Sequence, residues 1–196
     1  MSVNQSYVWY VGYGSNLCEE RFLCYICGGQ FKWRGSCAEG CTDKSIPTSN
    51  KPVRIPYILY FAKSSRNWNN GGVAFINPNK ETVDGNWTLG RMWKITCEQY
   101  EEVRKQEGKS WYNHEIYLGE EDGIPIRTIT NEGILTPCNQ PSVGYLKTIA
   151  LGLKETYGMI KNAIVEYLTE KDGIRGNYTE EQLKKIIESA TSSNSG

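Results

Sequence analysis

Two stretches of this sequence place chemistry-bearing residues at useful spacing. The first is Tyr10-Val11-Gly12-Tyr13-Gly14-Ser15-Asn16, an apolar, strand-like run that turns through Gly-Ser-Asn into a helix-like segment. A helix N-terminus presents unpaired N–H groups and a partial positive charge, and glycine lets a ligand approach the backbone closely. Such a turn can cradle a carboxylate. It can equally do no more than cap its own helix, with Asn16 as N-cap and Glu19 in the capping-box position. The second is Glu107, which ends a helix-like run just before Gly108. A carboxylate there opposes the helix macrodipole. It is either a surface acid between Lys105 and Lys109 or one held in place for a purpose.

Other candidates are weaker. His114 is the only histidine and lies in an alternating, strand-like run. No nucleophile elbow accompanies it, and a histidine metal site would need more partners. Cys24, Cys27, Cys37 and Cys41 could supply four thiolates to a tetrahedral zinc. Their nine-residue central spacer is short for a zinc ribbon, and Cys24 and Cys27 share a helix face, as buried small hydrophobes do. Neither a phosphate-binding loop nor a dinucleotide fingerprint is present. Glu120, Glu121 and Asp122 read as a solvated turn. No metal and no cofactor are expected.

The elements that must position these residues follow from periodicity and punctuation. Strands are expected over 7–14, 57–65, 71–78, 87–96, 110–119 and 125–130. Gly90, inside one of them, marks a bulge or a close backbone approach. Helices are expected over 18–27, ended by Gly28-Gly29, and over 97–107 behind a Thr96–Gln99 capping box. Three more fall within 141–158, 159–171 and 178–189, the last behind Thr179 and Gln182. The Pro-, Ser-, Thr- and Asn-rich segment 41–57 reads as a loop. Strands dominate the middle and helices surround them, so the fold class is α+β.

Length and charge bound the rest. The 196 residues suit one domain over 1–190, with a disordered tail at 191–196. Lys plus Arg equals Asp plus Glu at 22 each, which argues against nucleic-acid binding. No apolar run approaches the roughly 18 residues a membrane span needs, and the first residues lack the features of a secretory signal. A cytoplasmic protein without a membrane partner is expected. The odd cysteine count of seven argues against a disulfide framework.

Three segments together resemble the gamma-glutamylcyclotransferase-like superfamily. "YVGYGSNL" is similar to its Y-G-S-N-L signature, "GRMWKITCEQYEEVRKQEG" to its central segment ending in the catalytic glutamate, and "PSVGYLKTIALGLKE" to a later segment in which a tyrosine precedes a helix. They occur in the family's order and span most of residues 7–155. The resemblance implies a small mixed β-barrel surrounded by α-helices. It implies a gamma-glutamyl small molecule as partner, bound by Tyr10, Val11, Gly12, Tyr13, Gly14, Ser15, Asn16 and Tyr145. It implies a reaction in which the substrate's own alpha-amine attacks its gamma-carbonyl, giving 5-oxoproline and a free amine, with Glu107 as general base. The backbone of Gly14 to Asn16 would hold either the alpha-carboxylate or the developing oxyanion. The segment 24–57 and the C-terminal helices depart from the simple eukaryotic enzymes and look more like bacterial members, which leaves the leaving group open. The alternative is a non-catalytic gamma-glutamyl-binding module of the same fold. Because the cysteine spacing is poor for zinc, chelator treatment is expected to leave activity unchanged; stoichiometric bound zinc with chelator-sensitive turnover would contradict it.

Overall fold

The computed structural model of the chain describes residues 6–81 and 87–192. Its first strand, β1 (Tyr7–Gly12), is a continuous apolar run because both of its faces are buried. Successive side chains alternate across a strand. Val8 and Tyr10 therefore enter one core with Phe22, Tyr25, Trp93 and Val103, while Trp9 and Val11 enter a second core on the other side.

The remaining strands are β2 (Ser49–Ile55), β3 (Tyr57–Ser65), β4 (Gly71–Glu81), β5 (Thr88–Thr96), β6 (His114–Glu121) and β7 (Ile124–Thr130). Five of them form a sheet in the order β2-β5-β1-β7-β6, and β3 pairs with β4 separately. β1 runs antiparallel to β5, with Tyr10 opposite Trp93, and parallel to β7, which makes the sheet mixed. Buried threonines seam the two sheets together. Thr130 donates its hydroxyl to the Ile76 carbonyl at 2.7 Å and accepts from the Ile76 N–H at 3.2 Å. Thr88 donates to the Tyr57 carbonyl at 2.5 Å. The result is a barrel-like α+β body.

Two helices, α1 (Glu19–Cys27) and α2 (Cys97–Glu107), cover the Tyr10 face of the sheet. The Thr96–Gln99 capping box is formed in full, as is the Thr179–Gln182 box of the last helix. Each cap is worth about 1 kcal/mol and fixes where its helix begins. α3 (Val143–Tyr157) buries Leu146, Ile149, Ala150 and Leu153 in the second core, joined there by α4 (Lys161–Thr169) and α5 (Glu180–Thr191).

Several expectations need correction. Residues 49–55, read as loop, form β2. This is an edge strand, where Pro52 is tolerated because one side of the backbone needs no ladder partner. The strand expected from residue 110 begins at His114. Glu120 and Glu121 belong to β6, and the turn is at Asp122-Gly123. Of the two readings offered for Gly90, close approach holds: it pairs with Val53 in an uninterrupted ladder, and a Cβ there would lie 2.7 Å from Val11 Cγ1. Thr191, placed in the tail by its sequence, closes α5. Residues 193–196 lie outside the described residues.

Thr130 is fully buried, so Thr130→Val keeps its shape and strands both Ile76 backbone groups. Unsatisfied buried polar groups cost about 1–3 kcal/mol each. The urea midpoint of this variant should fall accordingly, and an unchanged midpoint would remove the seam from the account.

Candidate active site

β1 ends at Gly12, and a single 3-10 turn, Ser15–Leu17, leads through Cys18 into α1. Asn16 is not the N-cap of α1; that position belongs to Cys18, without a side-chain bond. The Asn16 backbone is fixed by the Trp93 indole N–H, which donates to its carbonyl at 3.0 Å. Buried Arg91 clamps the same turn, bonding the Leu17 carbonyl, Glu19 and Glu155. Gly12 leaves the room required, since a Cβ there would lie 2.6 Å from Asn16 Cβ.

So held, the buried Asn16 amide nitrogen donates to the Tyr10 phenol oxygen at 3.0 Å and to Glu107 Oε1 at 2.5 Å. Tyr10 donates to the same carboxylate oxygen at 3.4 Å, and Tyr25 of α1 donates to Oε2 at 3.1 Å. Both oxygens of a half-buried carboxylate are thus held by neutral donors, with no cation in ion-pairing contact among the described residues. Burial, and then the Glu107 charge, push the Tyr10 phenol well above its ordinary range. Burial likewise raises Tyr25, against an opposing pull from Arg21. Both phenols keep their protons at neutral pH and remain donors.

Glu107 lies where two cavities meet. The smaller, about 30 Å³, is bounded by the turn residues, Tyr112 and Tyr145. The larger, about 340 Å³, extends from Ser15, Glu107 and Tyr145 past Arg21 and Arg34 to Trp68 and Trp111. Ser142 caps α3 and so sets the position of Tyr145 one turn in. The Ala74 N–H donates to the Tyr145 oxygen at 3.0 Å, and Tyr112 donates to the Ala74 carbonyl at 2.9 Å. Burial pushes the Tyr145 phenol up to about 12, so it too is a donor. Two kinds of buried polar atom have no partner here: Asn16 Oδ1, an acceptor, and Arg21 Nε and Nη1, donors. Asn16 Oδ1 is thus free to accept, and Arg21 Nε and Nη1 are free to donate.

Of the residues proposed from sequence, Tyr10, Gly12, Tyr13, Gly14, Ser15, Asn16, Glu107 and Tyr145 all border the smaller cavity. Val11 borders neither cavity; its side chain lies in the second core. Sequence reasoning missed Arg21, Tyr25 and Arg34. A signal existed for the first: Arg21 falls on the buried face of α1 with Phe22, Tyr25 and Ile26, where a cation has no structural reason to be. His114 is exposed at the start of β6 and borders neither cavity. Cys41 is buried and donates to the Tyr25 carbonyl, whereas Cys27 and Cys37 are exposed. Among the described residues no group of three or more His, Cys, Asp or Glu is placed to hold a metal ion. No described helix is long and apolar enough to cross a membrane.

Comparison with known proteins gives the fold a name. A solved gamma-glutamyl cyclotransferase superposes with a TM-score of 0.58 at 24% identity, covering 94% of this chain and 99% of its own. An uncharacterized protein from Homo sapiens superposes with a TM-score of 0.57 at 22% identity, again covering 94% and 99%. The chain therefore has the gamma-glutamylcyclotransferase-like fold. Among curated proteins, histone deacetylase 5 of Arabidopsis thaliana is 31% identical over 201 residues, which is 82% of this chain. The chain spans only 30% of that relative's length. No family model matches the chain.

Gly14 abuts Tyr145: an added Cβ would lie 2.7 Å from the phenol oxygen and 2.8 Å from Ala74 Cβ. Gly14→Ala should lower unfolding free energy by about 1–3 kcal/mol, the range for overpacking. Gly133→Ala, whose Cβ would meet only Asn131 Oδ1 at 3.9 Å, should change it little. Equal denaturation midpoints for the two variants would show that the turn is not packed as described.

Proposed function

We propose that the chain is a cyclotransferase that converts gamma-glutamyl amides or peptides to 5-oxoproline and a free amine. The observation carrying this reading is the Glu107 carboxylate, gripped through both oxygens by Asn16, Tyr10 and Tyr25 beside the unpartnered Asn16 Oδ1. An ammonium fits that spot: Glu107 supplies the charge and Asn16 the second acceptor. The fold shared with a solved gamma-glutamyl cyclotransferase supports the same conclusion.

In this reading the substrate brings its own nucleophile, so the protein needs no reactive Ser, Cys or His. Its task is to fold the substrate back to near-attack geometry and move protons. Glu107 takes a proton from the alpha-ammonium. The freed amine attacks the gamma-carbonyl carbon, a C–N bond forms, and the bond to the leaving nitrogen breaks. The nitrogen that enters the ring sheds two protons in all, and the departing nitrogen gains two; Glu107 is placed to relay them in turn. Tyr145, its oxygen already engaged by the Ala74 N–H, has its own proton to offer the developing oxyanion. The Gly14–Asn16 backbone lies on the same wall and is the other candidate for that role or for the alpha-carboxylate.

The test is 5-oxoproline release from a panel of gamma-glutamyl amides and peptides. Glu107→Gln is nearly isosteric but cannot carry a proton, and should lower turnover by roughly 10²–10⁴-fold, the usual weight of general-base catalysis. Glu101, exposed and paired with Arg104, is the control, and Glu101→Gln should keep most activity. Glu102 is a poorer control, because its carboxylate accepts from the backbone and hydroxyl of Thr42. Near-normal turnover in Glu107→Gln would assign the wrong carboxylate. Binding of gamma-glutamyl compounds without 5-oxoproline from the wild type would make the chain a binding module.

A further inference from the structure

Among the described residues two arginines are buried, Arg21 and Arg91, and they are treated oppositely. Arg91 has a partner on every nitrogen: Nε reaches Asn50, Nη1 the Leu17 carbonyl and Glu155, and Nη2 Glu19. That is how a structural arginine is retained in a protein interior, since its five donors and its charge must all be compensated. Arg21 is 1% exposed, yet Nε and Nη1 have no partner. Its guanidinium stacks 3.9 Å from the centroid of the Tyr25 ring, one helical turn away, and borders the 340 Å³ cavity. No carboxylate stands within ion-pairing distance of it among the described residues. Packing alone would be served as well by an apolar side chain, so the free donors need another explanation.

Arg34 borders the same cavity from the segment that follows α1. Its Nη1 is anchored to the Ser36 carbonyl and hydroxyl and to the Cys37 carbonyl. Burial, followed by the nearby Arg21 charge, depresses its pKa. Two guanidinium groups bordering one cavity repel each other, and an anion placed between them relieves that repulsion. Arg66 lines the cavity as well, so three guanidinium groups and one carboxylate, Glu107, border it in a chain with no net charge. If Glu107 is taken by the substrate ammonium, the cavity keeps an uncompensated cationic wall.

We propose that Arg21 and Arg34 form an anion-binding subsite that selects the leaving portion of the substrate, favouring gamma-glutamyl conjugates whose departing amine carries carboxylates. This rests on the cyclotransferase reading of the same site. The planar guanidinium fork matches a carboxylate bidentately, which gives orientation as well as affinity. The gamma-glutamyl ammonium sits at Glu107, where the two cavities meet. The leaving portion then extends into the larger one, toward the arginines. A leaving amino acid with an acidic side chain satisfies this wall better than a neutral one, and an uncharged amine satisfies it least.

Three probes read the subsite: gamma-glutamyl-glutamate, gamma-glutamyl-glutamine and gamma-glutamyl-methylamide, whose leaving portions carry two, one and no carboxylates. For the wild type, kcat/KM should fall in that order, by about 10- to 100-fold from first to last, as expected for charge-assisted hydrogen bonds. In Arg21→Gln and Arg34→Gln the order should flatten, with the loss concentrated on the glutamate conjugate. Arg34 is half-buried on a loop, so its variant carries the test if Arg21→Gln does not fold. No order in the wild type, an order unchanged in the variants, or equal losses on all three probes would each overturn the proposal. The last outcome would assign the arginines to the gamma-glutamyl half. Dissociation constants for the same probes by calorimetry separate this proposal from the reaction itself. Graded binding without 5-oxoproline keeps the subsite and removes the cyclotransferase, whereas ungraded binding removes the subsite whatever the turnover.

Discussion

The structure around the site depends on holding the Glu107 carboxylate with neutral donors. A carboxylate withdrawn from water must have its lone pairs met, and here Asn16, Tyr10 and Tyr25 meet them with no cation in ion-pairing contact among the described residues. Each donor comes from a different element: a turn, a central strand and a helix. Their convergence fixes how β1, the turn, α1 and α2 sit against one another. The stack of Tyr10 on Phe22 and of Phe22 on Trp93, with centroids at 5.6 and 4.7 Å, fills the space beneath. Trp93 then returns a bond to the Asn16 carbonyl and locks the turn. A cation would have held the carboxylate more tightly, but it would also have competed with any ammonium brought to it.

The second constraint is steric. Gly12 and Gly14 are where other parts of the molecule come closest to the strand-to-helix turn: Asn16 over Gly12, and Tyr145 with Ala74 over Gly14. α3 thereby meets the turn, and its Tyr145 is anchored to the Ala74 N–H of β4. The same β4 residue gives its carbonyl to Tyr112. The turn, Ala74, Glu107, Tyr112, Ile129 and Tyr145 thus wall one small cavity, drawn from well-separated stretches of chain.

Much of this was legible in the sequence. β1 reads as buried because its apolar run is continuous, and β3 because its apolar stretch has clear borders. α2 and α5 read from capping boxes that act across three residues. Gly28 and Gly108 mark helix ends through positive φ, 81° and 88°. Each of these signals is local, arising from backbone geometry and hydrogen bonds within about one turn, so sequence order alone carries it. β2 was illegible for the converse reason. Its polar, proline-containing residues have no strand character of their own, and pairing with β5 supplies it.

The site divides along the same line. The sequence by itself determined that a glycine-rich turn follows the first strand, that Glu107 ends a helix against its dipole, and that Tyr145 opens another. Only the tertiary structure decided that Asn16 abandons its capping role to bond Glu107, 91 residues away, and that Tyr25 reaches the other oxygen across 82 residues. It also decided that Arg91 has a partner on every nitrogen while Arg21 Nε and Nη1 have none, although both read simply as arginine. The physical reason is that a side chain's ionic and hydrogen-bonding partners are set by which elements pack together. Whether a buried donor is satisfied or left free for a ligand is therefore a property of the assembled interior and not of the residue or its neighbours in sequence.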